Sequence, residues 1–285
     1  MRRLALIACL FASLIFVAPA SSATPLQRTG TYLETSLDAS GCAREAGQRS
    51  GVNLTAWVAL GLRASGRSAA TAANCLTSRI GEVRLITDIE LVILALVATG
   101  RNPTKVNGRN LVADLRRQIR GGRIGRTPAS TQFGIFALRA VNLRIPVKVR
   151  AQLMRDQNSD GLWPVYPGGD GDSNLTASGI AAAVAAGIKP SDARLRRASL
   201  ALRKFRRQGG FASSPGAPAD AQSTAWVLQG LAAISRRDAR AEAFLIGLQQ
   251  SNGSIAYQRG IRISPVWVTA QAALGLARRP FPLAR

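Results

Sequence analysis

The residues in this chain whose types could do chemistry are a few carboxylates and aromatics. The stretch from Gln157 to Ala186 holds Asp160, Asp170 and Asp172, with Trp163 and Tyr166 between them. Asp220 precedes a similar run, and Asp88 and Glu90 open a third. Acids paired across a cavity work as general acid and base, and a separation of about 5–10 Å would suit glycoside hydrolysis. The weak catalytic candidates on this reading are Asp172, Asp220 and Glu90. A single acid in a loop more often caps a helix or forms a turn, and Glu90 would then pair with an arginine. Trp57, Phe133, Trp226 and Trp267 sit near the starts of apolar runs. Their faces either stack on an apolar ligand or plug the space between helices. The chain has no histidine, which removes Ser-His-Asp and Cys-His nucleophilic arrangements. No metal spacing is present, and no cofactor is implied.

Six repeats must position these residues. The runs beginning at Thr55, Ile89, Thr131, Thr176, Thr224 and Thr269 are 34 to 48 residues apart, a period that marks a stacked or closed array of equal units. Each unit begins with an amphipathic, arginine-bearing helix, such as Leu111 to Arg120 or Leu195 to Arg207. A glycine turn and a loop follow, then an almost uncharged helix of Ala and Leu. A helix charged on one face lies at a surface, and one that is apolar all round is buried. Leu26 to Leu37 supplies the first outer helix, and Val266 to Leu276 the last inner one. Asn53, Asp88, Ser130, Asn174, Ser223 and Ser264 read as caps of the inner helices. An open solenoid needs polar terminal repeats. The last inner helix is as apolar as the others, which favours closure. The expectation is an all-α toroid, six helix pairs closed into an (α/α)6 barrel.

The turns carry a family resemblance. Gln157-Asn-Ser-Asp-Gly161-Leu-Trp163 fits the pattern Gln, three residues, Gly, any residue, Trp. Gln118 with Gly122 and Gln249 with Gly253 keep its first half, and Gln208-Gly-Gly210-Phe211 is a shortened relative. This resembles the repeat of the terpenoid cyclase and protein prenyltransferase β-subunit superfamily, whose squalene cyclase-type members are α/α toroids. The motif marks a fold: Gln binds backbone across the turn, Gly permits positive φ, and the aromatic wedges between repeats. The resemblance implies two chemistries, and the residues support neither. The zinc site of prenyltransferases needs a histidine. The squalene-hopene cyclase acid motif, Asp-x-Asp-Asp-Thr-Ala, falls here on Asp172-Ser-Asn-Leu-Thr176-Ala177, so Asn174 and Leu175 stand where the decisive acids belong. The resemblance therefore implies a binder of an apolar or cofactor-like ligand, or of a partner, at the ring mouth, by analogy with the B12-carrier relatives. The ligand-binding candidates are Trp57, Phe133, Tyr166, Asp172, Asp220, Trp226 and Trp267, and the loop from Tyr166 to Asp172 with Asp220 is the first place to look. The alternatives are an enzyme with a degenerate acidic site and a structural protein of the cell envelope.

Composition bounds the setting. Arg2-Arg3, the apolar run Leu4 to Val17 and the small residues up to Ala23 read as a cleaved signal peptide over residues 1–23. One toroid domain follows, 24–285, with no transmembrane span. The protein is expected outside the cytoplasm. There Cys42 and Cys75 either form one disulfide or remain two buried thiols. Apolar residues make up 47% and aromatics 5%, so the core is built of small aliphatic side chains. The formal charge of +23 attracts anionic cell-surface polymers. Nucleic acid is not expected, because no aromatics are interleaved with the charges.

Overall fold

The computed structural model describes residues 23–283. The expected signal peptide lies outside these residues but for Ala23. In chain order the helices are α1 (Pro25–Thr35), α2 (Val52–Ala64), α3 (Ala70–Ser78), α4 (Ile86–Ala98), α5 (Leu111–Arg117) and α6 (Pro128–Ala140). They continue as α7 (Val147–Arg155), α8 (Ser173–Ala185), α9 (Ala193–Ala201), α10 (Ala221–Ala233), α11 (Ala239–Gly247) and α12 (Pro265–Ala277). The even-numbered helices are all 13 residues long and form the inner layer. In α4 every residue from Ile89 to Ala98 is buried. The odd-numbered helices form the outer layer. Helix α7 buries only Val149 and Leu153, an i,i+4 stripe, and leaves its basic face to solvent.

The inner helices touch in the order α2, α4, α6, α8, α10, α12, and α12 returns to α2. The fold is therefore the closed α/α toroid. Small residues set the spacing: a Cβ on Gly230 would lie 2.6 Å from the Ala177 carbonyl, and one on Gly275 2.6 Å from Ala225 Cα. Two polar clamps join the last repeat to the first. Ser264 precedes α12 in a left-handed conformation and makes no side-chain cap. Glu45 caps that helix instead, accepting the N–H groups of Val266 and Trp267 at 3.1 and 2.9 Å. Gln249 Nε2 donates to the Pro25 carbonyl and to Thr29 Oγ1.

Two expectations about boundaries need correction. The inner-helix caps are Gly51, Leu85, Thr127, Asp172 and Asp220, two or three residues before Asn53, Asp88, Ser130, Asn174 and Ser223. Thr127 and Asp220 accept the N–H groups of Ser130 and Ser223, so two of the expected caps are themselves the capped residues. The outer helices are also shorter than expected. Helix α5 stops at Arg117 because Gly121 and Gly122, at φ 56° and 90°, turn the chain back. Strand β1 (Ile119–Arg120) then pairs with β2 (Arg123–Ile124). Short antiparallel pairs also join β3 (Trp163–Pro164) to β4 (Gly171–Asp172) across a longer loop, and β5 (Arg206–Arg207) to β6 (Gly210–Phe211) across two residues. The last pair follows a 3-10 turn, Leu202–Phe205, that ends the helical stretch begun by α9.

Cys42 Sγ is bonded to Cys75 Sγ, with their Cα atoms 5.3 Å apart. The bond ties the first turn to α3.

Candidate functional site

The ring lumen is crossed by three aromatic side chains from alternate inner helices. Trp57, Phe133 and Trp226 each occupy the sixth position of their helix. Leu91, Ser178 and Ala270 hold that position in α4, α8 and α12. Large and small side chains thus alternate around the ring, which lets the three large ones meet at its centre. Their centroids are 5.7 to 6.2 Å apart, edge to face, the arrangement that ring quadrupoles favour. Phe281, from the segment after α12, adds a fourth ring at 6.2 Å from Trp57, 6.3 Å from Phe133 and 6.1 Å from Trp226. Phe136 meets it at 5.6 Å. The aromatics plug the ring, and Trp57 and Phe133 also face a pocket.

That pocket, about 180 Å3, opens at the N-terminal ends of α2, α4 and α6. Trp57, Phe133 and Leu91 give it apolar walls, and Asn53, Thr87, Ser130 and Glu90 bring polar groups. Asn53 Nδ2 donates to Asp88 Oδ1 at 2.8 Å, which fixes one side of the rim. Glu90 is 1% exposed, and no protein donor reaches its Oε1. Burial pushes its carboxyl well above the usual range, because desolvation penalises the charged form. No arginine pairs with it, contrary to the plainer sequence reading; the salt bridges among the described residues all lie elsewhere. A neutral buried carboxyl both donates and accepts hydrogen bonds. The same burial makes it a weaker acid than a solvated carboxyl. That suits holding a polar group and is opposite to what protonation of an unactivated double bond needs.

The other candidate residues do not join this pocket. Asp172 caps α8 through the Leu175 N–H at 2.8 Å. Asp220 caps α10 and binds both the N–H and Oγ of Ser223, at 2.7 and 2.8 Å. Burial raises the pKa of both, and the charge of Asp220 adds to the effect on Asp172. The two acids are thus electrostatic neighbours, but Asp172 Oδ1 and both oxygens of Asp220 are engaged at helix N-termini. Tyr166 is 64% exposed, with its ring over Gly169. Trp267 donates its backbone N–H to Glu45, and its side chain packs at the edge of the core. A larger pocket, about 520 Å3, opens on the outer layer beside α11. Its charged lining groups, Arg240 and Arg259, are exposed.

Several buried residues of the lumen are not in the sequence-derived set. Phe136 and Phe281 complete the aromatic cluster. Gln132 bonds Ser178 Oγ and the Leu175 carbonyl. Gln271 Oε1 accepts the Trp226 indole N–H at 3.0 Å, while its Nε2 has no partner. Gln229 is buried with neither amide atom bonded. The available signal was polarity: each glutamine interrupts an otherwise apolar helix.

Residues 136–215 match the squalene-hopene cyclase N-terminal domain. No curated protein matches the chain in sequence. Among solved structures, the type II terpene cyclase MstE from Scytonema is 16% identical with a TM-score of 0.68, over 89% of this chain and 96% of that one. A variant of MstE in complex with geranylgeranyl dihydroxybenzoate gives 15% and 0.69 over 89% and 96%. Protein geranylgeranyltransferase-I from Candida albicans, complexed with GGPP, is 9% identical with a TM-score of 0.65, over 88% and 90%. At these identities the likeness is one of fold. The chain therefore has the α/α-toroid fold that terpenoid cyclases and protein prenyltransferases share, and its residues 136–215 are similar to the squalene-hopene cyclase N-terminal domain.

Proposed function

We propose that this chain is an exported binding protein that holds a small, mainly apolar molecule in the mouth pocket without turning it over. The observation that carries the reading is Glu90, a buried carboxyl with an unpartnered oxygen in a pocket walled by Trp57, Phe133 and Leu91. An unmet buried polar group is costly, and a ligand that both donates and accepts there would relieve the cost. Two of the similar structures hold geranylgeranyl compounds, which supports an apolar ligand class. The pocket is below the roughly 300 Å3 at which drug-sized sites begin, so it admits a small molecule or one end of a long one. Turnover is disfavoured because Asn174 and Leu175 replace the cyclase acids, while Asp172 and Asp220 are engaged as caps. Export rests on the leader-like first 23 residues, and the charge of +23 would hold the protein near anionic envelope polymers.

Native mass spectrometry of protein recovered from the exported fraction tests this. A bound small molecule should be seen, kept by Asp172→Asn and lost from Glu90→Leu. A bound mass that survives Glu90→Leu, or a purified protein that carries and takes up nothing, would overturn the proposal.

A further inference from the structure

Phe281 lies against the three rings that meet at the centre of the toroid. Its ring is 4% exposed, and Leu283 beside it is 6% exposed. It is the second residue of Pro280-Phe281-Pro282-Leu283, so two of these four residues have no N–H to satisfy. Among the described residues, the backbone bonds of the region after α12 end with Arg279, and no side-chain hydrogen bond reaches 280–283. Among the described residues, what holds the segment is apolar burial. A helix or strand in its place would have to break a ladder to leave.

The surroundings are incompletely satisfied with the segment in place. Gln229 sits one turn beyond Trp226 in α10, as Phe136 sits one turn beyond Phe133 in α6. Positions i and i+3 share a helix face. Both atoms of the Gln229 amide, and Nε2 of Gln271, lack partners in this buried region. Trp57 and Phe133 touch Phe281 and also wall the mouth pocket. The two rings are thus common to the mouth pocket and the surroundings of Phe281.

We infer that Pro280–Leu283 is a displaceable internal occupant of the lumen. Its withdrawal joins the mouth pocket to a central cavity that accepts a long, neutral, apolar molecule bearing one hydrogen-bonding group. This rests on the reading of the mouth pocket as a ligand site and adds a gate to it. The buried glutamine amides then meet the polar group of the incoming molecule or water that enters with it. The apparent affinity of such a ligand is reduced by the fraction of molecules in which the segment is out.

The test uses the whole protein and the neutral dye N-phenyl-1-naphthylamine. Wild type and Phe281→Ala are titrated by dye fluorescence. A wild-type chain carrying 4-fluorophenylalanine at position 281 is followed by fluorine NMR as dye is added. The inference expects Phe281→Ala to bind dye at least about tenfold more tightly. It expects the fluorine resonance to move from its buried position to a narrow, solvent-exposed one as the wild type saturates. Equal affinities of the two chains, dye that saturates the wild type with the fluorine unmoved, or dye that binds neither chain would each overturn it. Should Phe281→Ala not fold, the fluorine measurement decides alone. The mouth pocket is read separately: a co-purifying molecule that depends on Glu90 while the dye leaves the fluorine unmoved keeps the pocket and removes the gate. A fluorine response with no co-purifying molecule does the reverse.

Discussion

Thr176 Oγ1 accepts the backbone N–H of Trp163 at 3.0 Å. The same bond joins Thr55 to Ala43, Thr131 to Ile124, Thr224 to Phe211 and Thr269 to Ile255. It is the physical reason that a threonine opens five of the six inner runs, because it ties each buried turn to the helix that follows it. The second repeat has Ile89 at this place. Thr176→Val keeps the shape but leaves the Trp163 N–H buried and unpaired. We expect a loss of about 1–3 kcal/mol in urea unfolding, whereas Ile89→Val should cost about 0.5–1.5 kcal/mol, the ordinary loss of one methylene.

The Cys42–Cys75 bond closes a span of 33 residues. Loop-closure entropy puts its contribution at about 3–4 kcal/mol. The double variant Cys42→Ala, Cys75→Ala should melt well below wild type. Purified protein should resist alkylation at both cysteines until reductant is added, and ready labelling without reductant would show that the bond is absent in solution.

Glu90 gives stability a defined pH dependence. Its carboxyl is raised well above 4.5 by burial, while in the unfolded chain it titrates near that value. Between the two values the unfolded state binds fewer protons than the folded one. Stability is therefore fully present below the unfolded value and falls as pH rises toward the folded one. Glu90→Gln removes this term. Its stability relative to wild type should grow with pH, by at most about 1.4 kcal/mol per pH unit within the window. Parallel curves for the two proteins from pH 4 to 8 would contradict the assignment.

Asp172 and Asp220 are expected to behave as caps. Asparagine caps helices as well as aspartate does, so Asp172→Asn and Asp220→Asn should leave thermal stability and ligand retention nearly unchanged. The alanine variants should each lose about 1 kcal/mol, and Asp220→Ala more, since it also frees the Ser223 hydroxyl. A general acid would not tolerate asparagine at either position.

The architecture was legible because its determinants are local and repeated. The inner runs carry almost no charge, the turns carry glycine at fixed places, and six copies show the pattern even where one is degenerate. The site was less legible because it depends on which side chains converge. The loop from Tyr166 to Asp172 concentrates acids and aromatics in sequence, yet Asp172 is engaged at a helix end and Tyr166 faces solvent. Glu90 reads as the partner of an arginine when arginines are so plentiful, but no guanidinium reaches it in the ring. Phe281 follows the last repeat, so no periodicity predicts that it turns back into the lumen. The helix caps were misplaced by two or three residues because several polar residues open each inner helix, and only the backbone geometry singles out the one that caps.

The central claim is that the ring mouth is a ligand site built around Glu90. A crystal structure of the protein purified from its native host, without detergent, is the decisive measurement. Density for a small molecule is expected between Trp57 and Phe133, with a polar atom within hydrogen-bonding distance of Glu90. A pocket that holds only water bonded to Glu90, in protein that also takes up no ligand on soaking, would contradict it.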